Sequence, residues 1–468
     1  MKYVSTRGLA PAVDFESAML AGLAPDGGLY MPDVWPQVSE ADARAIGAKP
    51  YADAAAEILS LFTGDAFDLK TLRAMTADAY GSFASKDVAP LVKVGAEDWM
   101  LELFHGPTLA FKDFAMQILG RLFDAALERR DERLTIIAAT SGDTGSAAIE
   151  ALKSCARVNV VVLHPEGRVS AVQQRMMTSV IAPNVMNIAV KGSFDDCQAI
   201  VKTLFADADF VGDVKLSGVN SINWARLAAQ TVYYFTAYAK VANEGEAINF
   251  VVPTGNFGDV FAGYAAKRMG LPIAKLGVAA NANDILHRAI SAGDYTPANV
   301  KPTASPSMDI QVASNFERLL FEAKHRDAKA LRDAMEGFAK NKGLRIDAET
   351  LAAIRKDFVS DAVSMEETLA EIKRHYKDTG LLIDPHTAVG RAAARRLRAS
   401  GKLTGKIVTL STAHPAKFPE AVKDATGETP ALPDFYADLF DRPEKMERCA
   451  AEAGAVKALI VGAFGGMK

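Results

Sequence analysis

The chain has 468 residues, of which 49% are hydrophobic and 24% are charged, and its formal net charge is -4. This length predicts two or three packed lobes, and the balanced composition argues against long disordered stretches. Because the net charge is slightly negative and no basic run is interleaved with aromatic residues, nucleic acid is excluded as an expected partner.

The cysteine content and the hydropathy pattern restrict the compartment. Cys155, Cys197 and Cys449 are few, odd in number and far apart, which favours neither a disulfide framework nor a metal site. The first residues lack the apolar segment of a signal peptide, and no run of about 18 apolar residues is present to span a membrane. We therefore expect a soluble cytoplasmic protein with no metal and no membrane partner.

Residues 1–90 form a front section whose apolar periodicity, clearest over residues 54–61, predicts helices. Residues 22–32 are rich in Gly and Pro and predict a turn. From about residue 89 to about residue 278 the chain alternates short apolar runs, Gly/Ser/Thr loops and amphipathic stretches. This alternation predicts an α/β fold with a parallel sheet and flanking helices.

Within this region, the sequence HGPTLAFKDF at residues 105–114 places Lys112 at the predicted start of a helix. The helix dipole disfavours a cation there, and burial would lower the pKa of the amine further, as formation of a Schiff base with an aldehyde requires. Considered alone, Lys112 is more simply explained as a surface lysine that extends its amine into water.

Two strand–loop–helix units follow. The apolar run 134–139 leads through TSGDTG, residues 140–145, into a helix, and residues 249–252 lead through PTGNFG, residues 253–258, into another. A helix N-terminus presents free N–H groups and the positive end of the helix dipole, so each loop is a potential seat for a phosphate or a carboxylate. Either loop taken singly could be glycine-rich for packing alone, and neither has the spacing of a nucleotide-binding loop.

Residues 316–377 are rich in charge at helical spacing, which predicts a largely solvated helical insertion without a catalytic role. A last strand over residues 406–410 opens onto STAHPAKFPEAV, where Ser411, Thr412 and His414 precede another helix. For His414 we favour a role in orienting the turn over direct proton transfer. A phosphate seat, a carboxylate seat and an activated lysine on one scaffold are together what a pyridoxal-phosphate enzyme acting on an amino acid requires.

The strings HGPTLAFKD, ATSGDTG, VPTGNFGD and STAHPAKF, in this order, closely resemble the threonine synthases of the longer bacterial and fungal branch. The resemblance extends over nearly the whole chain and includes MKYVSTRG, APDGGLYMP, SINWARLAAQTVYYF and IDPHTAVG. It implies two parallel-sheet lobes of pyridoxal-phosphate fold type II, in the tryptophan-synthase-beta-like superfamily. The implied division is an N-terminal, mostly helical domain (1–90), a catalytic core (91–315 and 378–430), a charged helical insertion (316–377) and a C-terminal helical tail (431–468).

The resemblance also assigns site residues. Lys112 would hold pyridoxal 5'-phosphate through a Schiff base, with the hydroxyls of Ser411 and Thr412 at its pyridine nitrogen. The cofactor phosphate would lie on Thr254, Gly255, Asn256, Phe257, Gly258 and Asp259, and the substrate carboxylate on Ser141, Gly142, Asp143, Thr144 and Gly145. Many relatives in the wider fold carry Asn where this chain has Asp143. Since two carboxylates would repel each other, we expect Asp143 to face a loop amide or a cationic group instead.

The implied reaction converts O-phospho-L-homoserine and water into L-threonine and phosphate, by γ-elimination of phosphate and β-addition of water, as the last step of threonine biosynthesis. Candidates for binding the substrate phosphate are Lys275, Arg168 and Arg226. The nearest alternative is a phospho-amino-acid lyase or dehydratase on the same scaffold; a non-catalytic cofactor binder and a nucleotide-dependent dehydrogenase are weaker alternatives. We expect a monomer or a homodimer.

Overall fold

The computed structural model describes residues 1–465. The helices of this part are α1 Phe15–Ala21, α2 Glu40–Gly47, α3 Tyr51–Thr63, α4 Leu69–Gly81, α5 Lys112–Arg130, α6 Asp143–Leu152, α7 Ala171–Thr178, α8 Phe194–Ala206, α9 Ala208–Val214, α10 Trp224–Val241, α11 Gly258–Arg268, α12 Ile285–Ala292, α13 Phe316–Ala323, α14 Ala328–Asn341, α15 Ala348–Asp357, α16 Met365–Thr379, α17 Pro385–Ala399, α18 Pro419–Thr426 and α19 Ala453–Phe464.

The strands are β1 Tyr3–Ser5, β2 Tyr30–Pro32, β3 Leu91–Lys93, β4 Asp98–Glu102, β5 Leu134–Ala139, β6 Val158–Pro165, β7 Val185–Lys191, β8 Leu216–Ser217, β9 Ile248–Pro253, β10 Ile273–Ala280, β11 Asp294–Tyr295, β12 Leu344–Arg345, β13 Phe358–Ala362, β14 Ile407–Ser411 and β15 Glu447–Ala450. Two sheets dominate. One has six strands in the order β13-β10-β9-β14-β4-β3, and the other has five in the order β15-β7-β6-β5-β8.

Pairing within the two sheets is parallel except between β3 and β4. Their central strands β6 and β9 are buried along their full length, because helices cover both faces of a parallel sheet. The predicted α/β class with two parallel-sheet lobes is confirmed.

The front section packs on the six-stranded lobe through an aromatic cluster. Trp224, at the start of α10, contacts the rings of Tyr3, Trp35 and Phe62 at centroid distances of 6.2, 5.8 and 5.7 Å. Aromatic contacts of this kind contribute packing energy beyond the buried area alone. The front section therefore shares a hydrophobic core with the lobe that it covers.

Two segments differ from the sequence-based expectation. Helix α13, at the start of the charged insertion, is buried along its whole length, and β13 near its end forms an edge of the six-stranded sheet. The C-terminal tail adds β15 to the five-stranded sheet before α19 begins; its last three residues lie outside the described residues. Charge counts missed the burial of α13, because charged residues such as Glu317 and Arg318 are buried here with hydrogen-bond partners. The domain limits given above stay a prediction.

Two kinds of feature are absent from residues 1–465. None of the helices in this range combines the length and apolar character that crossing a membrane requires. No cluster of three or more His, Cys, Asp or Glu side chains in the same range is arranged to hold a metal ion.

Candidate active site

The carboxyl ends of three parallel strands supply the candidate site. Strand β9 leads into the turn 254–259 and β14 leads into Thr412. Because β9 and β14 are parallel neighbours, both segments leave the same edge of the six-stranded sheet. The third strand, β5 of the other lobe, leads into the loop 140–145.

Lys112 is the first residue of α5, as predicted, and its side chain is buried. Its Nζ lies 3.1 Å from Asp143 Oδ2 and 3.3 Å from Ser307 Oγ, and 5.4 Å from the centre of the Phe111 ring. Burial lowers the pKa of Lys112 and the positive charge of Lys417 lowers it further, against the opposing attraction of Asp143. The amine is thereby made a better nucleophile and base than an exposed lysine.

Asp143 faces cationic side chains, which is one of the two arrangements that we expected from the sequence. Besides Lys112, its carboxylate contacts Lys417 Nζ at 2.6 Å and accepts a hydrogen bond from Gln173 Nε2 at 2.9 Å. Burial by itself would raise the pKa of Asp143, but the positive charges of Lys112 and Lys417 hold it well below its ordinary value. Its side chain therefore orders the two lysines, and only its backbone N–H remains for a substrate carboxylate.

The loop 140–145 is shaped by the hydroxyl of Thr140, which accepts hydrogen bonds from the amides of Gly142 and Gly145 at 3.0 and 2.9 Å. Gly142 adopts a φ of 137°, and α6 begins without a side-chain cap. Within residues 1–465, the amides of Ser141, Asp143 and Thr144 make no hydrogen bond, so they are available to an anion. Sequence reasoning did not separate these free amides from the two that Thr140 binds.

The turn 254–259 is anchored to the sheet through Thr254, whose N–H donates to Ala279 O on β10 and whose hydroxyl donates to Val252 O on β9. Phe257 has a left-handed φ of 64°, its ring packs on Phe316 and Phe358, and α11 begins without a side-chain cap. In the described part of the chain, the amides of Asn256, Phe257 and Gly258 are without hydrogen bonds. This end of α11 is thus a second set of free donors.

The side chain of Asp259 does not reach a ligand. It is buried, and its Oδ1 accepts hydrogen bonds from the hydroxyls of Tyr233 and Tyr234 at 2.5 and 3.1 Å. Burial raises the pKa of Asp259 to about 7. A protonated Asp259 adds no negative charge to the amides of α11, so the positive end of the helix dipole is preserved.

Ser411 and Thr412 form one wall of the site. The hydroxyl of Ser411 lies 3.0 Å from Thr387 Oγ1, and the amide of Thr412 donates to the same oxygen at 3.3 Å. No hydrogen bond of the Thr412 hydroxyl is found among the described residues. His414 accepts a hydrogen bond from the amide of Ala416 at 3.2 Å and so caps a turn, the role that we favoured.

The three candidates for binding the substrate phosphate differ. Lys275 donates to the carbonyls of Arg355 and Lys356 at the end of α15 and is engaged there. Arg226 is buried, its positive charge acts on Lys112, and its Nε has no hydrogen-bond partner within residues 1–465. Arg168 follows β6 and acts electrostatically on Asp196. Of the three, Arg226 is the candidate whose charge acts on Lys112, while its Nη1 donates to the Val219 carbonyl at 2.8 Å.

Sequence reasoning did not place three side chains at the site, namely Gln173, Ser307 and Lys417. It also did not identify the contact between His386 and Ser307. Lys417 is completely buried and also donates to the Thr108 carbonyl at 2.7 Å. It belongs to the string STAHPAKF, and His386 to IDPHTAVG, so the motifs themselves were the available signal. Ser307 lies in a loop without such a motif.

These donors fit pyridoxal phosphate. Three free amides at a neutral helix N-terminus suit a phosphate, a buried lysine with a lowered pKa suits the aldehyde, and a free hydroxyl at Thr412 suits the pyridine nitrogen. A Cβ on Gly255 would lie 2.5 Å from the carbonyl oxygen of Ser307, whose hydroxyl contacts Lys112. Ser307 therefore joins the phosphate turn to the lysine.

Comparison with known proteins gives concordant matches. The profile described as pyridoxal-phosphate dependent enzyme matches residues 93–356, threonine synthase N terminus matches 2–80, and threonine synthase, C-terminal, matches 387–460. Threonine synthase from Pseudomonas aeruginosa is 48% identical over 461 residues, 98% of each chain. Threonine synthase from Saccharomyces cerevisiae is 42% identical, covering 95% of this chain and 94% of that one.

Solved structures agree with these matches. The pyridoxal-phosphate-bound threonine synthase from Brucella melitensis superposes with a TM-score of 0.96 at 49% identity, covering 99% of each chain. The threonine synthase from yeast superposes with a TM-score of 0.94 at 39% identity, covering 99% of this chain and 98% of that one. The chain belongs to the threonine synthase family of pyridoxal-phosphate-dependent enzymes.

Proposed function

We propose that this chain converts O-phospho-L-homoserine and water into L-threonine and phosphate, with pyridoxal phosphate attached to Lys112. The relatives and structures named threonine synthase support the reaction. The observation that carries the assignment of the site is the buried Nζ of Lys112, which lies 3.1 Å from Asp143 at the uncapped start of α6 and 3.3 Å from Ser307. Ser307 in turn adjoins Gly255 of the turn before the uncapped start of α11.

Each part of the cofactor has a partner in this proposal. The amides of Asn256, Phe257 and Gly258 at the start of α11 bind its phosphate, and Thr412 and Ser411 present hydroxyls to the pyridine nitrogen. When bound, the cofactor supplies an electron sink that acidifies the α-carbon of the substrate. A hydroxyl at the pyridine nitrogen, in place of a carboxylate, does not enforce its protonation and so moderates this sink.

Lys112 moves the protons. Once the substrate amine has displaced Lys112 from the aldehyde, the freed Nζ takes the proton from the α-carbon and then helps to transfer a β proton, so that the γ phosphate can leave. A proton is then delivered to the γ-carbon, water adds at the β-carbon, and the α-carbon regains a proton. The pKa of Lys112, lowered by burial, keeps a fraction of the amine neutral for the first step, and Asp143 stabilises the ammonium that results. The amine and its counter-charge thus form one acid–base unit.

The substrate is held at both ends. Its carboxylate binds the free amides of Ser141, Asp143 and Thr144 at the start of α6, helped by the hydroxyls of Ser141 and Thr144. Its phosphate binds Arg226, whose buried guanidinium has an unpaired Nε. We also propose a cytoplasmic location. The protein is further proposed to be a monomer or a homodimer, and sedimentation of the purified protein tests this oligomeric state.

The decisive experiment supplies O-phospho-L-homoserine to the purified protein and measures phosphate and threonine together. Equal amounts of both products are expected, and Lys112→Ala should lower the rate by about 1,000-fold or more. Phosphate accompanied by 2-oxobutyrate, without threonine, would establish the alternative phospho-amino-acid lyase. A protein that takes up no pyridoxal phosphate would refute the proposal altogether.

A further inference from the structure

Ser307 connects three parts of the site. It lies in the loop between β11 and α13, in the short helical turn Pro306–Met308. Its hydroxyl accepts a hydrogen bond from Lys112 Nζ at 3.3 Å and donates one to Asp143 Oδ2 at 3.2 Å. Its amide donates to His386 Nε2 at 3.3 Å. The backbone of Ser307 is therefore held from the α17 side, and its hydroxyl is directed at the amine.

His386 is suited to fix this arrangement. Its side chain is buried, and its Nδ1 lies 2.8 Å from Oδ1 of Asp384, which is itself completely buried. Asp384 also accepts the amides of His386 and Thr387 as the N-cap of α17. Since Nδ1 donates to Asp384, the neutral ring presents an unprotonated Nε2 to the Ser307 amide.

Two fixed hydrogen-bond acceptors determine the direction in which the lone pair of Lys112 Nζ points. When Lys112 is neutral, it donates one N–H to Asp143 and one to Ser307, so its lone pair is left pointing in a single direction. With Asp143 as the sole acceptor, the amine could rotate about its Cε–Nζ bond. Orientation of this kind is a general source of rate acceleration, because a reacting atom that is already aligned loses less entropy on reaction.

We propose that Ser307 is a catalytic residue that orients Lys112 Nζ, and that His386, held by Asp384, is the positioning residue that places Ser307. The inference rests on the proposed role of Lys112 and deepens it. It gives a function to His386 of the string IDPHTAVG, whose Thr387 already bonds Ser411 and Thr412.

The first test compares Ser307→Ala with Ser305→Ala. Ser305 belongs to the same loop but bonds Asn281 and Thr303 and does not contact Lys112 in the described structure. We expect Ser307→Ala to lower kcat by about 10-fold to 100-fold and Ser305→Ala to change it less than about 3-fold. Equal effects of the two substitutions would show that Ser307 acts only through loop structure and would overturn the inference.

The second readout is the pH titration of the visible absorbance of the holoenzyme, which reports the nitrogen that joins Lys112 to the cofactor. Loss of the Ser307 hydroxyl removes an acceptor from its protonated form, so the titration midpoint should fall in Ser307→Ala and stay unchanged in Ser305→Ala. The charged groups facing this nitrogen, Asp143, Lys417 and Arg226, are the same in both variants. An unchanged midpoint in Ser307→Ala would contradict the proposal.

The role of His386 is tested by a double-mutant cycle. His386→Leu should reduce kcat, His386→Gln should restore part of it because its amide oxygen can accept the Ser307 N–H, and adding Ser307→Ala to His386→Leu should have no further effect. Additive losses would separate His386 from Ser307. If His386→Leu fails to fold, the cycle is run with His386→Gln. A wild-type protein without absorbance and without threonine formation would instead refute the proposed function itself.

Discussion

The two strand–loop–helix units, β5 to α6 and β9 to α11, share one local sequence pattern, but the pKa of the aspartate at the helix start is shifted in opposite directions. Both α6 and α11 begin without a side-chain cap and both carry an aspartate in the first turn, Asp143 or Asp259. The pKa of Asp143 is held well below its ordinary value, against the effect of burial, by Lys112 and Lys417. The pKa of Asp259 is raised to about 7 by burial, with only tyrosine hydroxyls as partners.

The difference shows that an aspartate in the same helix position can serve two different roles. At α11 the raised pKa keeps the aspartate mostly protonated below about pH 7, so the helix dipole and the free amides can accept a phosphate without an opposing charge. At α6 the aspartate is ionised and is neutralised by two lysines, so the charge serves the reacting amine. Whether an aspartate at a helix start assists or opposes an anion is therefore decided by its tertiary partners.

The largest expected effect comes from Asp143→Asn. This change leaves Lys112 and Lys417 buried without their common counter-charge. Removing one partner of a buried ion pair destabilises a protein by about 3–5 kcal/mol, and we expect a loss of this size in the free energy of unfolding, measured by urea denaturation. The activity with O-phospho-L-homoserine should fall by about 100-fold or more, because the ammonium that forms when Lys112 accepts the α proton loses its counter-charge.

The matched control is Asp259→Asn, the same chemical change at the other unit. We expect it to keep kcat/KM within about 3-fold of the wild type, since the side chain contacts two tyrosines and no ligand group. Similar losses of activity in both variants would break the distinction between a charged and a neutral helix start.

Asp259→Asn should also change the pH dependence of stability. The folded pKa of Asp259, about 7, is above its ordinary value of 3.8. Below about pH 4 the favourable contribution of the protonated form is fully present, and it is lost as the pH rises through 7. At 1.36 kcal/mol per pKa unit, the wild type should lose up to about 4 kcal/mol more than the variant between these limits.

Urea denaturation of both proteins at pH 5 and pH 8 checks this slope. The comparison between variant and wild type cancels other titrating groups, such as Asp113, whose pKa burial raises to about 6. Asp143 has the opposite sign: its depressed pKa contributes stability above about pH 4, and this is lost only in stronger acid. Parallel pH curves for Asp259→Asn and wild type would refute a neutral Asp259.

The sequence predicted the strands, loops and helix starts of the two units, but not the side chains from elsewhere in the chain that contact their aspartates. Apolar runs, glycine-rich loops and helical periodicity located β5, β9 and the two loops, and the helix dipole argument placed Lys112 at the start of α5. Repulsion between carboxylates predicted that Asp143 faces another group. The identity of that group depends on Lys417, which lies more than half the chain away and is brought to the site by the sheet order.

The burial of charged residues could not be predicted from the sequence either. Helix α13 reads as a solvated helix from its charges, but Glu317 binds Thr6 and Arg7 from the front section, and Arg318 binds the carbonyls of Tyr30 and Ile222. Composition cannot distinguish a solvated charge from one whose partners come from another part of the chain. Only the assembled fold supplies those partners.

Lys417→Met sharpens the α6 side of the comparison. Methionine keeps most of the buried volume and removes the charge that binds Asp143 and the Thr108 carbonyl. Because Asp143 retains Lys112 and Gln173, we expect a loss of about 2–3 kcal/mol in the free energy of unfolding, smaller than in Asp143→Asn. The pKa of Lys112 should rise, since Lys417 lowers it, and the acidic limb of the profile of kcat against pH should move to higher pH. A shift to lower pH would contradict the placement of Lys417 beside the amine.

The smallest effect is expected for Tyr233→Phe on the α11 side. Asp259 Oδ1 keeps the hydroxyl of Tyr234, so a single neutral hydrogen bond is lost, which contributes about 1 kcal/mol to the free energy of unfolding. The hydrogen bond from Tyr233 lowers the pKa of Asp259, so its removal should raise that pKa further and keep the acid protonated to higher pH. Activity should therefore stay unchanged while the pH-dependent loss of stability moves upward. A drop in cofactor affinity, measured by titrating the apoprotein with pyridoxal phosphate, would mean that Tyr233 and Asp259 shape the phosphate turn directly instead of preserving its neutrality.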